Sequence, residues 1–174
     1  MVLENSFITE VQQVAIVVKD IDSALDEYSN RLGIGPWWVC FYGPPRLTDM
    51  RIRGESIPYS FKAAMAKTGN TLWELIEPVD GPSIYKEFLD EHGEGLHHVL
   101  VEHDTLDFEQ AIQKFTERGC PVLMEGRMGE VRFAYLATEG PLKTVMEVVY
   151  RPPNFVRPAP DYWYPTQPSS NQAQ

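Results

Sequence analysis

The stretch Gly93-Glu94-Gly95-Leu96-His97-His98-Val99-Leu100-Val101-Glu102 decides how the rest of the chain is read. It has the pattern of a β-strand with apolar residues on both faces and histidine near its centre. Side chains alternate across a strand, so His98, Leu100 and Glu102 share one face and His97, Val99 and Val101 the other. A strand of the same kind lies near the N-terminus, Val11-Gln12-Gln13-Val14-Ala15-Ile16-Val17-Val18. Laying Gln13 on His98 places Val14-Ala15-Ile16-Val17 on Val99-Leu100-Val101-Glu102. Each strand leads into an acidic turn and then a helical pattern. The chain therefore reads as a duplicated unit with polar groups at equivalent places.

Working outward, Asp20 or Asp22 caps a helix whose stripe is Ile21, Leu25, Tyr28 and Leu32, and Gly33 ends it. Pro36 to Phe41 is an aromatic-rich strand. Residues 43–58 hold Pro44, Pro45, Gly54 and three arginines, Arg46, Arg51 and Arg53. That is long for a connection, which suggests a lid, a binding loop or a solvated excursion. Tyr59 to Ala66 and Thr71 to Glu77 form a hairpin around Lys67-Thr68-Gly69-Asn70. Pro78 and Gly81-Pro82 break the sheet, and Ser83 caps a short helix with Ile84, Phe88 and Leu89 inward. Beyond the central strand come an acidic turn at Asp104 and a helix from about Leu106 to Arg118, striped by Phe108, Ile112 and Phe115. Strands at Pro121–Glu125, Val131–Thr138 and Lys143–Tyr150 follow. Leu72-Trp73-Glu74-Leu75-Ile76 mirrors Val145-Met146-Glu147-Val148-Val149 at the last strand of each half. The order predicts an α+β fold of two βαβββ modules, about 10–78 and 94–150, forming a cupped, open-barrel mixed sheet in one domain over residues 1–150.

Length and composition suit this. The 174 residues are 43% hydrophobic and 23% charged, ordinary for a globular chain. A formal charge of -10 argues against nucleic acid or an anionic membrane as partner. Cys40 and Cys120 support neither a disulfide framework nor a zinc knuckle. With no apolar run of spanning length and no leader pattern, a cytoplasmic protein is expected. Residues 151–174 form a tail rich in proline and aromatics. Its part up to about 165 is expected to pack on the domain or on a second subunit, with the last residues mobile.

Four stretches carry a family resemblance: Gln13-Val14-Ala15-Ile16-Val17-Val18-Lys19-Asp20, Glu74-Leu75-Ile76-Glu77-Pro78, Gly93 to Val99, and Phe133-Ala134-Tyr135-Leu136-Ala137-Thr138-Glu139. Together with the duplicated order, they resemble the vicinal oxygen chelate superfamily of glyoxalases, bleomycin-resistance proteins and dioxygenases. The likeness is strongest to its glyoxalase I and methylmalonyl-CoA epimerase branch. The resemblance implies one divalent metal ion held by Gln13, Glu74, His98 and Glu147. It implies Glu147 as the base, a small carbonyl substrate and a homodimer.

The residue chemistry points the same way. Glu74, His98 and Glu147 are each flanked at plus and minus two by apolar residues, where a carboxylate without a cation is costly. Two carboxylates, a neutral imidazole and a neutral amide balance a divalent charge. Their nitrogen and oxygen atoms suit zinc, nickel, cobalt, manganese or magnesium, and iron less well. Taken singly, a Glu on a sheet is usually solvated and a strand His usually hydrogen-bonded, and Gln13 is the weakest ligand of the four. His97 is expected to face away from the site, and His92 and His103 to lie at the surface.

Two departures matter. The epimerases carry a second glutamate just before the third strand. Here the nearest carboxylate to that place is Glu55, while Tyr59 could serve as an acid instead. Extradiol dioxygenases use two His and one Glu, and Gln13 stands in place of the first His. The expected function is a metal-dependent isomerase or lyase moving a proton next to a carbonyl through an enolate-like intermediate. The alternatives are a non-catalytic binder of aromatic or drug-like molecules and an iron dioxygenase. The loop arginines could hold an anionic substrate, and Trp37, Trp38, Phe41, Tyr42 and Tyr59 could line an aromatic pocket.

Overall fold

The computed structural model describes residues 8–103 and 107–168. The first half contains β1 (Glu10–Val17), α1 (Ile21–Leu32), β2 (Trp37–Tyr42), β3 (Thr48–Ile52), β4 (Glu55–Ser56), β5 (Ser60–Thr68) and β6 (Thr71–Asp80). After α2 (Ile84–His92) come β7 (Gly95–Glu102), α3 (Phe108–Glu117), β8 (Val122–Met128), β9 (Val131–Leu136), α4 (Glu139–Leu142) and β10 (Val145–Tyr150), with β11 (Tyr162–Tyr164) in the tail.

All eleven strands join one mixed sheet in the order β11-β2-β5-β6-β1-β7-β10-β9-β8-β3-β4. Its centre is a pseudo-two-fold. β1 and β7 pair antiparallel with Gln13 opposite Leu100, Val14 opposite Val99 and Ala15 opposite His98. Under the sequence overlay that puts Gln13 on His98, the first and third of these pairs exchange and Val14–Val99 maps onto itself. The flanking parallel pairs obey the same rule: Ala15 stands opposite Glu74 and Leu100 opposite Glu147. Duplication therefore fixed the register in both halves, and register decides which face a side chain takes.

The sheet is curved. β2 and β3 stand eight strand spacings apart in the order, roughly 38 Å in a flat sheet. Only residues 43–47 connect them, a reach of at most about 20 Å. The ends of the sheet must approach each other, which gives the expected cup.

Local chemistry fixes the helices. Asp20 caps α1 by accepting from the Asp22 and Ser23 amides, and Gly33 closes it with φ 67°. Asp107 caps α3; the acidic turn at Asp104 and a start at Leu106 lie outside the described residues. On the convex face, α1 packs Ile21 and Leu25 on Trp37 and Leu75. In the same way α3 packs Phe108 and Phe115 on Val101, Leu136 and Val148. Leu32, assigned to the α1 stripe, is 62% exposed in its last turn. The concave interior gathers Ala15, Val17, Phe61, Tyr135 and Val145 with Ile84 and Tyr85 of α2.

Several expectations are corrected. Residues 43–58 are not a free loop: β3 and β4 form a hairpin that adds to the β8 edge. Its turn, Arg53-Gly54, has φ 49° and 85°, the double positive φ of a two-residue hairpin turn. Pro78 does not end β6. It sits opposite Phe61 beside a register shift and beyond the last β1 partner, Ile76, so its missing N–H breaks no inner ladder. His97 does not simply face away. Ala15 pairs with His98 but Ile16 with Leu96, so His97 is the extra residue of a β-bulge. His103 is buried, whereas His92 is exposed as expected. The tail strand β11 pairs with β2, and the last six residues, expected to be mobile, lie outside the described region. No helix among the described residues is long and apolar enough to cross a membrane.

Candidate metal centre

The four central strands β6, β1, β7 and β10 deliver Glu74, Gln13, His98 and Glu147 to one point on the concave face. Gln13 Nε2 donates to Glu74 Oε2 at 2.6 Å. His98 Nε2 lies 3.3 Å from Glu74 Oε2 and 3.5 Å from Glu147 Oε2. All four are buried, with exposures of 4%, 4%, 0% and 6% for Gln13, Glu74, His98 and Glu147.

The bulge explains what sits behind this cluster. His97 Nδ1 and His98 Nδ1 are 2.9 Å apart. His97 also hydrogen-bonds to the Ile84 main chain, an interaction that favours its charged form, so its second ring nitrogen donates to a carbonyl. In the neutral ring that His97 keeps, its Nδ1 must then accept, and His98 Nδ1 must donate. Burial first, and the His98 charge second, push His97 down to about 2. His98 Nε2 is therefore the end of the ring pointed at two carboxylates, protonated in the ion-free protein and a lone-pair donor once that proton is displaced.

Lone pair and carboxylates cannot stably face one another without a cation or proton between them. Among the described residues, His98 Nε2 and Glu147 Oε2 make no well-aligned hydrogen bond beyond these ion-pair approaches. Burial raises the Glu74 pKa, with the His98 hydrogen bond and charge acting against it. For His98, burial disfavours the charged ring, but hydrogen bonds and charges from Glu147 and Glu74 outweigh it and raise the pKa to about 9. The cluster attracts positive charge. Adjacent ligands on an octahedral ion with bonds of about 2.1 Å stand about 3 Å apart, and His98 Nε2 lies 3.3 and 3.5 Å from the carboxylate oxygens of Glu74 and Glu147. With its amide nitrogen on Glu74, Gln13 keeps its carbonyl oxygen as the ligating end. The four residues suit a divalent cation in charge and atom type.

A cavity opens over this cluster, lined by Gln13, Glu74 and Glu147 at its base and by apolar residues such as Phe61, Met65 and Phe133. Of the five aromatics assigned to a pocket, only Tyr42 lines it. Trp37 is buried under α1, Phe41 is exposed, Trp38 is half-buried, and Tyr59 packs in the interior cluster. The Tyr59 hydroxyl donates to the Glu125 carbonyl at 3.0 Å, and Glu55 is exposed on β4, so neither joins the quartet. The loop arginines are engaged elsewhere: Arg46 with Asp161, Arg53 with Glu87, and Arg51 at 3.9 Å from Glu125. Sequence reasoning missed Tyr85 and Tyr135, whose hydroxyls bond at 2.6 Å beside His98. It also missed Arg151, Phe155 and Arg157, which bring the tail to the cavity. Tyr85 carried a signal, since it follows the Ser83 cap next to Ile84; the tail carried none.

Comparison with known proteins follows the same lines. A family model described as Glyoxalase/Bleomycin resistance protein/Dioxygenase superfamily matches residues 12–135. Among solved structures, methylmalonyl-CoA epimerase from Mycobacterium tuberculosis is similar with a TM-score of 0.59 and 20% identity, covering 87% of this chain and 94% of that one. A hypothetical protein from Bacillus halodurans C-125 gives 0.58 and 20%, covering 85% and 98%. A Streptomyces coelicolor methylmalonyl-CoA epimerase variant in complex with 2-nitronate-propionyl-CoA gives 0.56 and 22%, covering 82% and 94%. At such identities the likeness is one of fold. No curated protein sequence matches the chain.

Proposed function

The chain belongs to the glyoxalase/bleomycin resistance/dioxygenase superfamily, and on that premise we propose that it is a metal-dependent isomerase or lyase moving a proton next to a substrate carbonyl. The observation that carries the reading is the buried cluster in which His98 Nε2 faces both Glu74 Oε2 and Glu147 Oε2, at 3.3 and 3.5 Å. Gln13, Glu74, His98 and Glu147 would hold the ion. When bound, a divalent ion supplies Lewis acidity to a carbonyl oxygen and so acidifies the neighbouring C–H. Glu147 is the base in this reading: its Oε2 is buried at the base of the cavity, with His98 Nε2 at 3.5 Å. The His97–His98 contact holds the His98 ring in one orientation, and the Tyr85–Tyr135 pair walls the site from water.

The test is exchange. Metal-loaded protein in deuterium oxide, incubated with small carbonyl acids, should wash deuterium into the position next to the carbonyl, and Glu147→Gln should abolish this. No exchange with any carbonyl compound, from protein shown to hold metal, contradicts the assignment. A second reading, a non-catalytic binder of aromatic molecules, draws on the same apolar cavity. It predicts aromatic ligand binding that is indifferent to metal.

A homodimer remains part of the proposal. Val14, Ile16, Trp73 and Leu96 form an apolar convex hollow beside Tyr28, and Leu96 is 57% exposed. Light scattering should give twice the chain mass, and Leu96→Asp should halve it.

A further inference from the structure

The mouth of the cup holds two arginines that have no counter-ion among the described residues. Arg31, Arg46, Arg51, Arg53, Arg127 and Arg132 each lie within ion-pair reach of a carboxylate. Among the described residues, no carboxylate comes that close to Arg151 or Arg157. In a chain with 25 acidic and 15 basic side chains, two unpaired guanidiniums lining one cavity are out of keeping with the surface as a whole.

Their placement is built. β10 ends at Tyr150, so Arg151 leaves the sheet beside the Glu147 strand. The tail then crosses the mouth, contributing Phe155 and Arg157, and is tied down where Asp161 accepts from the Phe41 amide at 2.6 Å and pairs with Arg46. The Arg157 guanidinium lies 4.2 Å from the Trp38 ring centroid, with Nη1 3.6 Å from Met65 Sδ. Stacking on a ring fixes the plane of the fork while leaving its N–H edge available. Burial is the larger cause, and the like charge of Arg151 a further one, that lowers the Arg157 pKa. An anion between the two would relieve that repulsion. The same cavity that holds the arginines and the quartet carboxylates is lined mostly by apolar residues, including Phe61, Leu100, Phe133 and Val149.

We propose that Arg151 and Arg157 clamp an oxyanion at the far end of the substrate. The substrate is then a small organic acid with an apolar middle, its carbonyl at the quartet and its carboxylate or phosphate at the arginines. Which end reacts rests on the catalytic reading of the quartet; the clamp itself needs no ion.

Calorimetric titration with 4-acetylbenzoate, 4-acetylphenyl phosphate and neutral 4-acetylbenzamide tests it. The two anions should bind at least about tenfold tighter than the amide, and the tighter of them identifies the oxyanion source. The preference should vanish in Arg151→Gln/Arg157→Gln, and persist in Glu74→Gln and in protein stripped with chelator. If the double variant fails to fold, Arg151→Gln alone is read the same way. Its side chain makes no ion pair among the described residues. The clamp is overturned if acid and amide bind alike, if neither anion binds at about 5 mM, or if the preference survives loss of the arginines. Anion preference without deuterium exchange removes the catalytic reading alone; exchange without anion preference removes the clamp alone.

Discussion

His97 Nδ1 lies 2.9 Å from His98 Nδ1, because a bulge in β7 turns two consecutive histidines toward each other. Adjacent residues on a regular strand point to opposite faces, so this contact exists only where the ladder slips by one. It gives His98 a support that orients the ring and leaves Nε2 for the cation. Groups behind a ligating histidine commonly affect metal affinity by about 10–100-fold. His97→Ala should therefore weaken divalent-ion binding by that factor, read by competition with a chromophoric chelator. Unchanged affinity in a folded variant contradicts the orienting role.

Proton release gives a second prediction. The His98 pKa of about 9 in the ion-free protein lies above its ordinary 6.5. Its charged form thus contributes stability that is fully present below about 6.5 and is lost as pH rises through about 9. A metal takes the neutral ring, so ion and proton compete. Apparent affinity should rise with pH up to about 9, roughly tenfold per unit for each proton displaced. Calorimetry near pH 7 in buffers of different ionisation enthalpy should show at least one proton released. Heats independent of buffer contradict this.

A third prediction concerns the tail. Asp161 accepts from the Phe41 amide and pairs with both terminal nitrogens of Arg46, while Tyr162 donates to Asp22 and Tyr164 to Asp26. These contacts are solvent-facing, so Asp161→Ala should cost only about 1–2 kcal/mol, lowering the melting temperature by a few degrees. Metal content should not change, because Asp161 touches none of the quartet. Anion binding should weaken as Arg157 loosens. A tail that stays docked, shown by wild-type melting and anion affinity, contradicts the anchoring role.

The quartet was legible because a duplicated strand pattern fixes register, and register fixes face. Gln13 and Ala15 align with His98 and Leu100 in sequence and pair reciprocally in space, so the four side chains that the family resemblance named also come together in the fold. What stayed hidden depends on slips and long-range contacts. Alternation sent His97 to the wrong face because one extra residue in β7 leaves no mark in the pattern. Prolines and polar residues concealed the β3–β4 hairpin, which is held by β8 some 70 residues later in the chain. Arg46, Arg51 and Arg53 looked free because their partners Asp161, Glu125 and Glu87 are remote in sequence. The arginines that do reach the cavity lie in a tail whose path is set by docking on the β2 edge, not by periodicity.

The central claim is that Gln13, Glu74, His98 and Glu147 form a cation site, and metal analysis tests it most directly. Protein dialysed against zinc, nickel, cobalt, manganese or magnesium and freed of excess should retain about one ion per chain. Glu74→Gln and His98→Ala should retain less than about a tenth of that while keeping the wild-type circular dichroism. Wild-type protein that retains none of these ions, or variants that retain as much as wild type, would contradict the account.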